Sequence, residues 1–214
     1  MARDVVGLES TKIVTSGLRE RKKAKQWALI AQVANEMFVR DGFDAVTLNQ
    51  VADACEISVR TIIRYFDSKD ALGIAYEQNA LERFQAGLAA REGSVTAYWR
   101  CHVSEIVAEM AANADWYRSR RAMIFATPAL KVRWDGVFAQ YQRLIADAIM
   151  EETDGKDRLG PQLMAAMLVV GAQVGSTDWA GGRSKKLEPQ AFLDVIDYAE
   201  DLFSTRLVFI RRAG

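Results

Sequence analysis

Between residues 25 and 41 the apolar positions Ile30, Val33, Ala34, Met37 and Phe38 recur at the i, i+3, i+4, i+7, i+8 spacing of one buried helix face, and Gly42 ends the pattern. Thr47 and Gln50 then form a Thr-x-x-Gln capping box, which predicts a short second helix through Cys55 with Leu48, Val51 and Ala52 inward. Glu56-Ile57-Ser58 is too short for anything but a tight turn. Ser58 caps a third helix over Val59–Phe66, and Ser68 caps a fourth that runs to about residue 91. Beyond Gly93 the periodicity stays helical, with elements expected near 95–113, 115–126, 128–153, 161–180 and 189–210, and loops at 154–159 and 180–188. The three prolines, Pro128, Pro161 and Pro189, each fall at a helix start, where a fixed φ and a missing N–H do no harm. No run of alternating strand pattern, internal repeat or low-complexity stretch interrupts this. The expected fold class is all-α.

The third helix carries more than a packing stripe. Ile57, Ile62 and Phe66 suffice to seat it on the first two helices, which leaves Val59, Arg60, Ile63 and Arg64 on its other side. Two short helices joined by a tight turn and backed by an earlier helix form a helix-turn-helix, whose second helix enters the major groove of DNA. There Arg60 can donate two hydrogen bonds to guanine, and Val59 and Ile63 can meet thymine methyls. Thr47, Tyr65 and Lys69 are placed for phosphates, and Ser58 and Thr61 complete the candidate DNA-binding set at the helix N-terminus. Upstream, Arg19, Arg21, Lys22, Lys23 and Lys25 form a basic arm against the single acid Glu20, suited to backbone contact.

The stretch 25–72, with MFVRDGF, then AVTLNQVADAC, then ISVRTIIRYFDSKDAL, resembles the N-terminal domain of the tetracycline-repressor (TetR) family of bacterial regulators. The resemblance places the family's groove-facing positions on Val59, Arg60 and Ile63, and its backbone contacts on Thr47, Tyr65 and Lys69. Two positions depart from the family pattern. Ile63 stands where the family usually has an aromatic, so one hydroxyl contact to DNA is missing. Glu56 replaces the turn glycine, at a cost of about 1 kcal/mol if the backbone there has positive φ. The resemblance implies a DNA-binding domain over 1–68 and a helical effector-binding and dimerisation domain over 69–214. It also implies a homodimer that binds operator DNA and is released by a small-molecule effector.

The C-terminal residues carry their own signals. Helix 161–180 is apolar nearly all round, and its small residues allow close helix approach. With helix 189–210 it could build a four-helix interface across a two-fold axis, for which the candidates are Met167, Gly171, Val174, Gly175, Phe192, Val195 and Phe203. Between 95 and 141 aromatics and methionines accumulate around the single histidine. The ligand-binding candidates are Trp99, His102, Met110, Trp116, Met123, Phe125, Trp134, Phe138 and Tyr141. His102 could orient a ligand by a hydrogen bond, and Arg120 or Arg121 could pair with an anionic group.

Composition narrows the alternatives. Half of the chain is hydrophobic, a quarter is charged and the net charge is zero, so attraction to nucleic acid must come from local clustering. Cys55 and Cys101 both lie in apolar helical patterns and read as buried free thiols rather than a disulfide. The run 163–175 is too short to span a bilayer, and no signal-type segment opens the chain, so a cytoplasmic protein without membrane partner is expected. One histidine cannot supply a di-iron bundle, Cys/His zinc ligands are lacking, and neither a nucleophile–base pair nor a glycine-rich phosphate loop is visible. Neither an enzyme nor a cofactor or metal site is expected. The remaining alternative is a helix-turn-helix regulator without an effector, acting through a protein partner.

Overall fold

The computed structural model describes residues 17–153, 158–180 and 189–212. Among these there are ten helices and no strand: α1 (Leu18–Asp41), α2 (Leu48–Ala54), α3 (Val59–Phe66), α4 (Lys69–Gly73), α5 (Ala75–Leu88), α6 (Val95–Ala112), α7 (Ala114–Ala126), α8 (Pro128–Glu152), α9 (Leu159–Ala180) and α10 (Pro189–Arg212). The fold is all-α.

The chain divides into two compact units. One comprises the chain through Gln78 together with Asp115–Trp134, and the other comprises Asn79–Ala114 together with the chain from Asp135 onward. This compact division is discontinuous in sequence, whereas the functional division expected at 68/69 is continuous.

In the first unit, Ile30, Ala31, Ala34 and Phe38 of α1 are buried with Val51 and Ala52 of α2, Ile62 and Phe66 of α3 and Leu72 of α4. Phe38 and Phe43 meet edge to face at 5.0 Å, closing the turn after α1. α1 starts at Leu18, two turns earlier than its apolar stripe predicts, so the basic segment is helical rather than an extended arm.

The predicted fourth helix is not continuous. α4 ends at Gly73, Ile74 adopts φ −110°, ψ 19°, and α5 begins at Ala75. The reason is a competition for carbonyls. Asn35 Nδ2 donates to Leu72 O at 3.2 Å, and Arg120 Nη2 donates to Gly73 O at 2.9 Å. Side chains thus satisfy two oxygens that a continuing helix would use. A Cβ at Gly73 would lie 2.7 Å from Leu130 Cδ2, so a side chain there would force the Leu130 methyl to shift.

In the second unit, Phe84, Trp99, Val103, Val107, Tyr141, Ile145, Leu168 and Ile196 are among the buried residues. Arg91 Nη2 and the Val95 N–H both donate to Glu152 Oε1 at 2.9 Å, tying the start of α6 to the end of α8. Arg100 of α6 pairs with Asp197 and Glu200 of α10. α9 and α10 approach closely: a Cβ on Gly171 would lie 2.3 Å from Val195 Cγ1, and one on Gly175 2.9 Å from Phe192 Cε1.

Two expectations need correcting. Both thiols are free, but only Cys55 is buried; Cys101 lies on the exposed side of α6. The apolar run 163–175 sits inside the 22-residue α9, whose segment Leu159–Trp179 is long and apolar enough to cross a membrane by length and composition. The helix outgrows the run because Gly160-Pro161 and Ser176–Trp179 continue it with no further breaker. In this fold, Ala165, Leu168 and Val169 are buried and the glycines face α10.

Candidate nucleic-acid interface

The turn between α2 and α3 is set by caps at both ends. The Thr47 N–H donates to Gln50 Oε1 at 2.7 Å and the Gln50 N–H to Thr47 Oγ1 at 3.3 Å, so the capping box is present. Ser58 Oγ accepts from the Thr61 N–H at 3.1 Å and lies 2.9 Å from Thr61 Oγ1. Ser58 and Thr61 therefore support the start of α3. Between the caps Glu56 sits at φ 54°, the left-handed region that favours glycine. Asp67, just after α3, is the other positive-φ non-glycine residue among those described, at 56°.

This frame orients α3. Ile62 and Phe66 are buried, Val59 and Ile57 are half-buried, and Arg60, Ile63 and Arg64 are exposed, Ile63 by 38%. Phe66 meets Trp27 of α1 at 5.4 Å, fixing the far end of α3 on the first helix. The half-buried Tyr65 ring carries the Arg64 guanidinium carbon at 5.5 Å. Lys69, at the start of α4, holds its Nζ 4.4 Å from the Phe43 ring centroid, and Thr47 is exposed at the start of α2. Thr47, Arg60, Ile63 and Arg64 are all exposed within one compact unit. A rigid, capped helix with two exposed arginines is suited to reading base edges in a major groove.

The ligand candidates fall into both units. Trp116, Met123, Phe125 and Trp134 belong to the first, where Phe125 and Trp134 meet at 5.2 Å with Lys131 Nζ over both rings. Trp99, His102, Met110, Phe138 and Tyr141 belong to the second. There the Phe84 ring is surrounded by Trp99 at 5.5 Å, His102 at 4.9 Å and Tyr141 at 5.2 Å, and Phe138 meets Tyr141 at 5.9 Å. His102 Nε2 lies 3.0 Å from the Tyr141 hydroxyl. Burial, with Arg83 nearby, pushes the imidazole down to about 4, so it is neutral at pH 7 and keeps one donor and one acceptor nitrogen. The Trp99 indole N–H is buried with no hydrogen-bond partner among the described residues.

Arg120 is not available to a ligand. It is buried, donates from Nε to Asn35 Oδ1 at 2.9 Å and to Gly73 O, pairs twice with Glu77, and lies 5.1 and 5.6 Å from the Tyr76 and Trp116 ring centroids. Burial alone would push the Glu77 carboxyl up, but the Arg120 charge and hydrogen bonds outweigh it and hold it below the ordinary range. Arg121 lies 4.7 Å over Trp134, and desolvation lowers it to about 10. Sequence reasoning overlooked this network. Its one signal was Asn35, a polar residue on the buried stripe of α1.

Of the dimer candidates, Gly171, Gly175, Phe192 and Val195 meet one another inside the chain. Met167 and Phe203 are half-buried, and Val174 is 53% exposed. Leu163, Val170, Tyr198 and Leu202 are further exposed apolar residues on the same two helices, and sequence reasoning did not select them.

The helix-turn-helix and its helical companion unit define a DNA-binding transcriptional regulator. The pattern of "Bacterial regulatory proteins, tetR family" matches residues 30–76, the segment that holds the helix-turn-helix. It is 25% identical over 178 residues, 76% of either chain, to the HTH-type transcriptional regulator TcmR of Streptomyces glaucescens. Its fold is similar to that of the regulator FadR from Bacillus subtilis, solved in complex with stearoyl-CoA (TM-score 0.59, 14% identity, covering 81% of this chain and 97% of that one). It is also similar to SmeT, solved with triclosan (TM-score 0.62, 14% identity, covering 83% and 91%). The relatives are regulators, and the chain is a regulator rather than an enzyme.

Proposed function

We propose that the chain is a homodimeric, cytoplasmic transcriptional repressor released from its operator by a mostly apolar small molecule. The observation that carries the DNA-binding half is the capped α3 with Arg60, Ile63 and Arg64 exposed on the side away from Ile62 and Phe66. Val59, Arg60 and Ile63 read bases, while Thr47, Tyr65 and Lys69 hold phosphates. Arg60→Ala is expected to lose about 1–3 kcal/mol on the operator and to relax preference at one base pair. A genomic selection at moderate salt tests the reading directly: no enriched site would end it.

The dimer is supported by the exposed apolar residues Leu163, Val170 and Val174 of α9 and Tyr198 and Leu202 of α10, a face a lone soluble chain has little reason to keep. The effector reading is supported by the aromatic cluster around Phe84, where Trp99 keeps an unspent donor beside neutral His102. FadR and SmeT, of similar fold, were solved with stearoyl-CoA and with triclosan. A ligand that selects the non-DNA conformation raises thermal stability and lowers operator affinity together, and the coupling is reciprocal. Thermal-shift hits that leave operator affinity unchanged would refute the effector role. The close ring contacts around Phe84 favour one second reading, a regulator whose core is simply packed and which answers to a protein partner.

A further inference from the structure

Arg120 is a buried charge that neither the DNA-reading surface nor the ligand candidates use. It lies on α7, 2% exposed, and the hydrogen bonds of its guanidinium run to three other helices of the same compact unit. Nε donates to Asn35 Oδ1 of α1 at 2.9 Å, and Nη2 donates to Gly73 O of α4 at 2.9 Å and to Glu77 Oε2 of α5 at 2.6 Å. Asn35 completes the link, because its Nδ2 donates to Ala31 O of its own helix and to Leu72 O of α4. One guanidinium and one amide thus fix the end of α4 against α1. A buried ion pair seldom stabilises a fold more than an apolar pair of the same volume, since desolvation offsets the attraction. What the rigid fork of an arginine adds is direction: its bonds close only when the three helices stand in one arrangement.

That arrangement reaches the DNA-reading surface through α4. This helix has only five residues, so Lys69 stands one turn from the clamped carbonyl of Gly73. Lys69 Nζ lies 4.4 Å from the centroid of the Phe43 ring, and a Cβ on Gly73 would lie 3.1 Å from Cε2 of the same ring. At the other end of α4, Arg133 of α8 donates from Nη2 to Ser68 Oγ at 3.4 Å, a looser and more exposed contact. α3 ends at Phe66, three residues before Lys69, so whatever places α4 also places Lys69 relative to the recognition helix.

We propose that Arg120 is a positioning residue for operator binding: by locking the end of α4 onto α1 it sets Lys69, on the phosphates, in register with α3 in the groove. Being buried, Arg120 itself touches no DNA. This inference rests on the DNA-binding reading above.

The test uses the full chain and a duplex recovered by genomic selection. Two variants break the clamp differently. Arg120→Met with Glu77→Leu leaves no buried charge, whereas Arg120→Lys keeps a cation for Glu77 but lacks the fork that reaches Asn35 and Gly73. Both are measured at a temperature where circular dichroism shows the helices intact. Each is expected to bind about tenfold more weakly than the unchanged chain, the loss that one misaligned charge-assisted hydrogen bond brings. Lys69→Ala, added to each background, supplies the readout that a purely structural role would not move. It is expected to weaken the unchanged chain by about tenfold and either clamp variant by under about twofold, because a contact already displaced has little left to lose. A folded clamp variant that binds as well as the unchanged chain would overturn this inference alone. So would a Lys69→Ala effect of the same factor in every background, whatever its size. Failure of the unchanged chain to bind any duplex would overturn the DNA-binding reading and this inference with it.

Discussion

Arg120→Met cuts the most connected polar group of the first unit. Arg120 is 2% exposed and its partner Glu77 12%. The substitution leaves the Glu77 carboxylate buried without its cation and removes the donors to Asn35 Oδ1 and Gly73 O. Removing one member of a buried pair costs about 3–5 kcal/mol, because the remaining charge keeps its desolvation penalty and loses its compensation. The orphaned acceptors belong to the same network and are not added separately. For a chain of this size that is a fall of about 10 °C in midpoint. Because the chain has two units, urea unfolding followed by the fluorescence of Trp27 and Trp116 variants reports the first unit better than a single overall transition. Glu77→Leu with Arg120→Met is expected to recover much of the loss, since an apolar pair leaves no buried charge. The pair also has a pH signature. Glu77 is held below its unfolded value, so its contribution is complete above the ordinary carboxylate range and is lost as pH falls through the lowered folded value. A single Arg120→Met loss under about 1 kcal/mol, or a double variant as unstable as the single, would refute the reasoning.

Glu56→Gly relieves the positive φ of the α2–α3 turn and is expected to stabilise the chain by about 1 kcal/mol, a rise of a few degrees in midpoint; a fall would count against strain there. Because His102 is pushed down to about 4 by burial, its contribution to stability is expected to be lost as pH drops from about 6.5 to 4, and His102→Asn should remove that component of the decline in urea titrations at each pH. Val174→Glu, at a 53% exposed position, is expected to give monomers in light scattering at micromolar concentration; a variant that stays dimeric excludes this face of α9 from the seam.

The helix-turn-helix was legible in sequence because its determinants are local. Thr47–Gln50 and Ser58 caps, a three-residue turn and the alternation of Ile62 and Phe66 with Arg60 and Arg64 act within one or two helical turns, so their spacing alone specifies the element and its two faces. Glu56 at positive φ was foreseeable for the same reason. The break at Ile74 was not, since it depends on Asn35 and Arg120 reaching carbonyls 37 and 47 residues away in the chain. The burial of Arg120 likewise requires Glu77, and tandem arginines look solvated until a partner 43 residues distant is brought beside them. On α9 the sequence marked an all-round apolar helix, but only packing decided that Gly171 and Gly175 serve α10 of the same chain while Val170 and Val174 stay outside. Composition and period determine what an element is; which face of it is consumed is decided by partners far away in the chain.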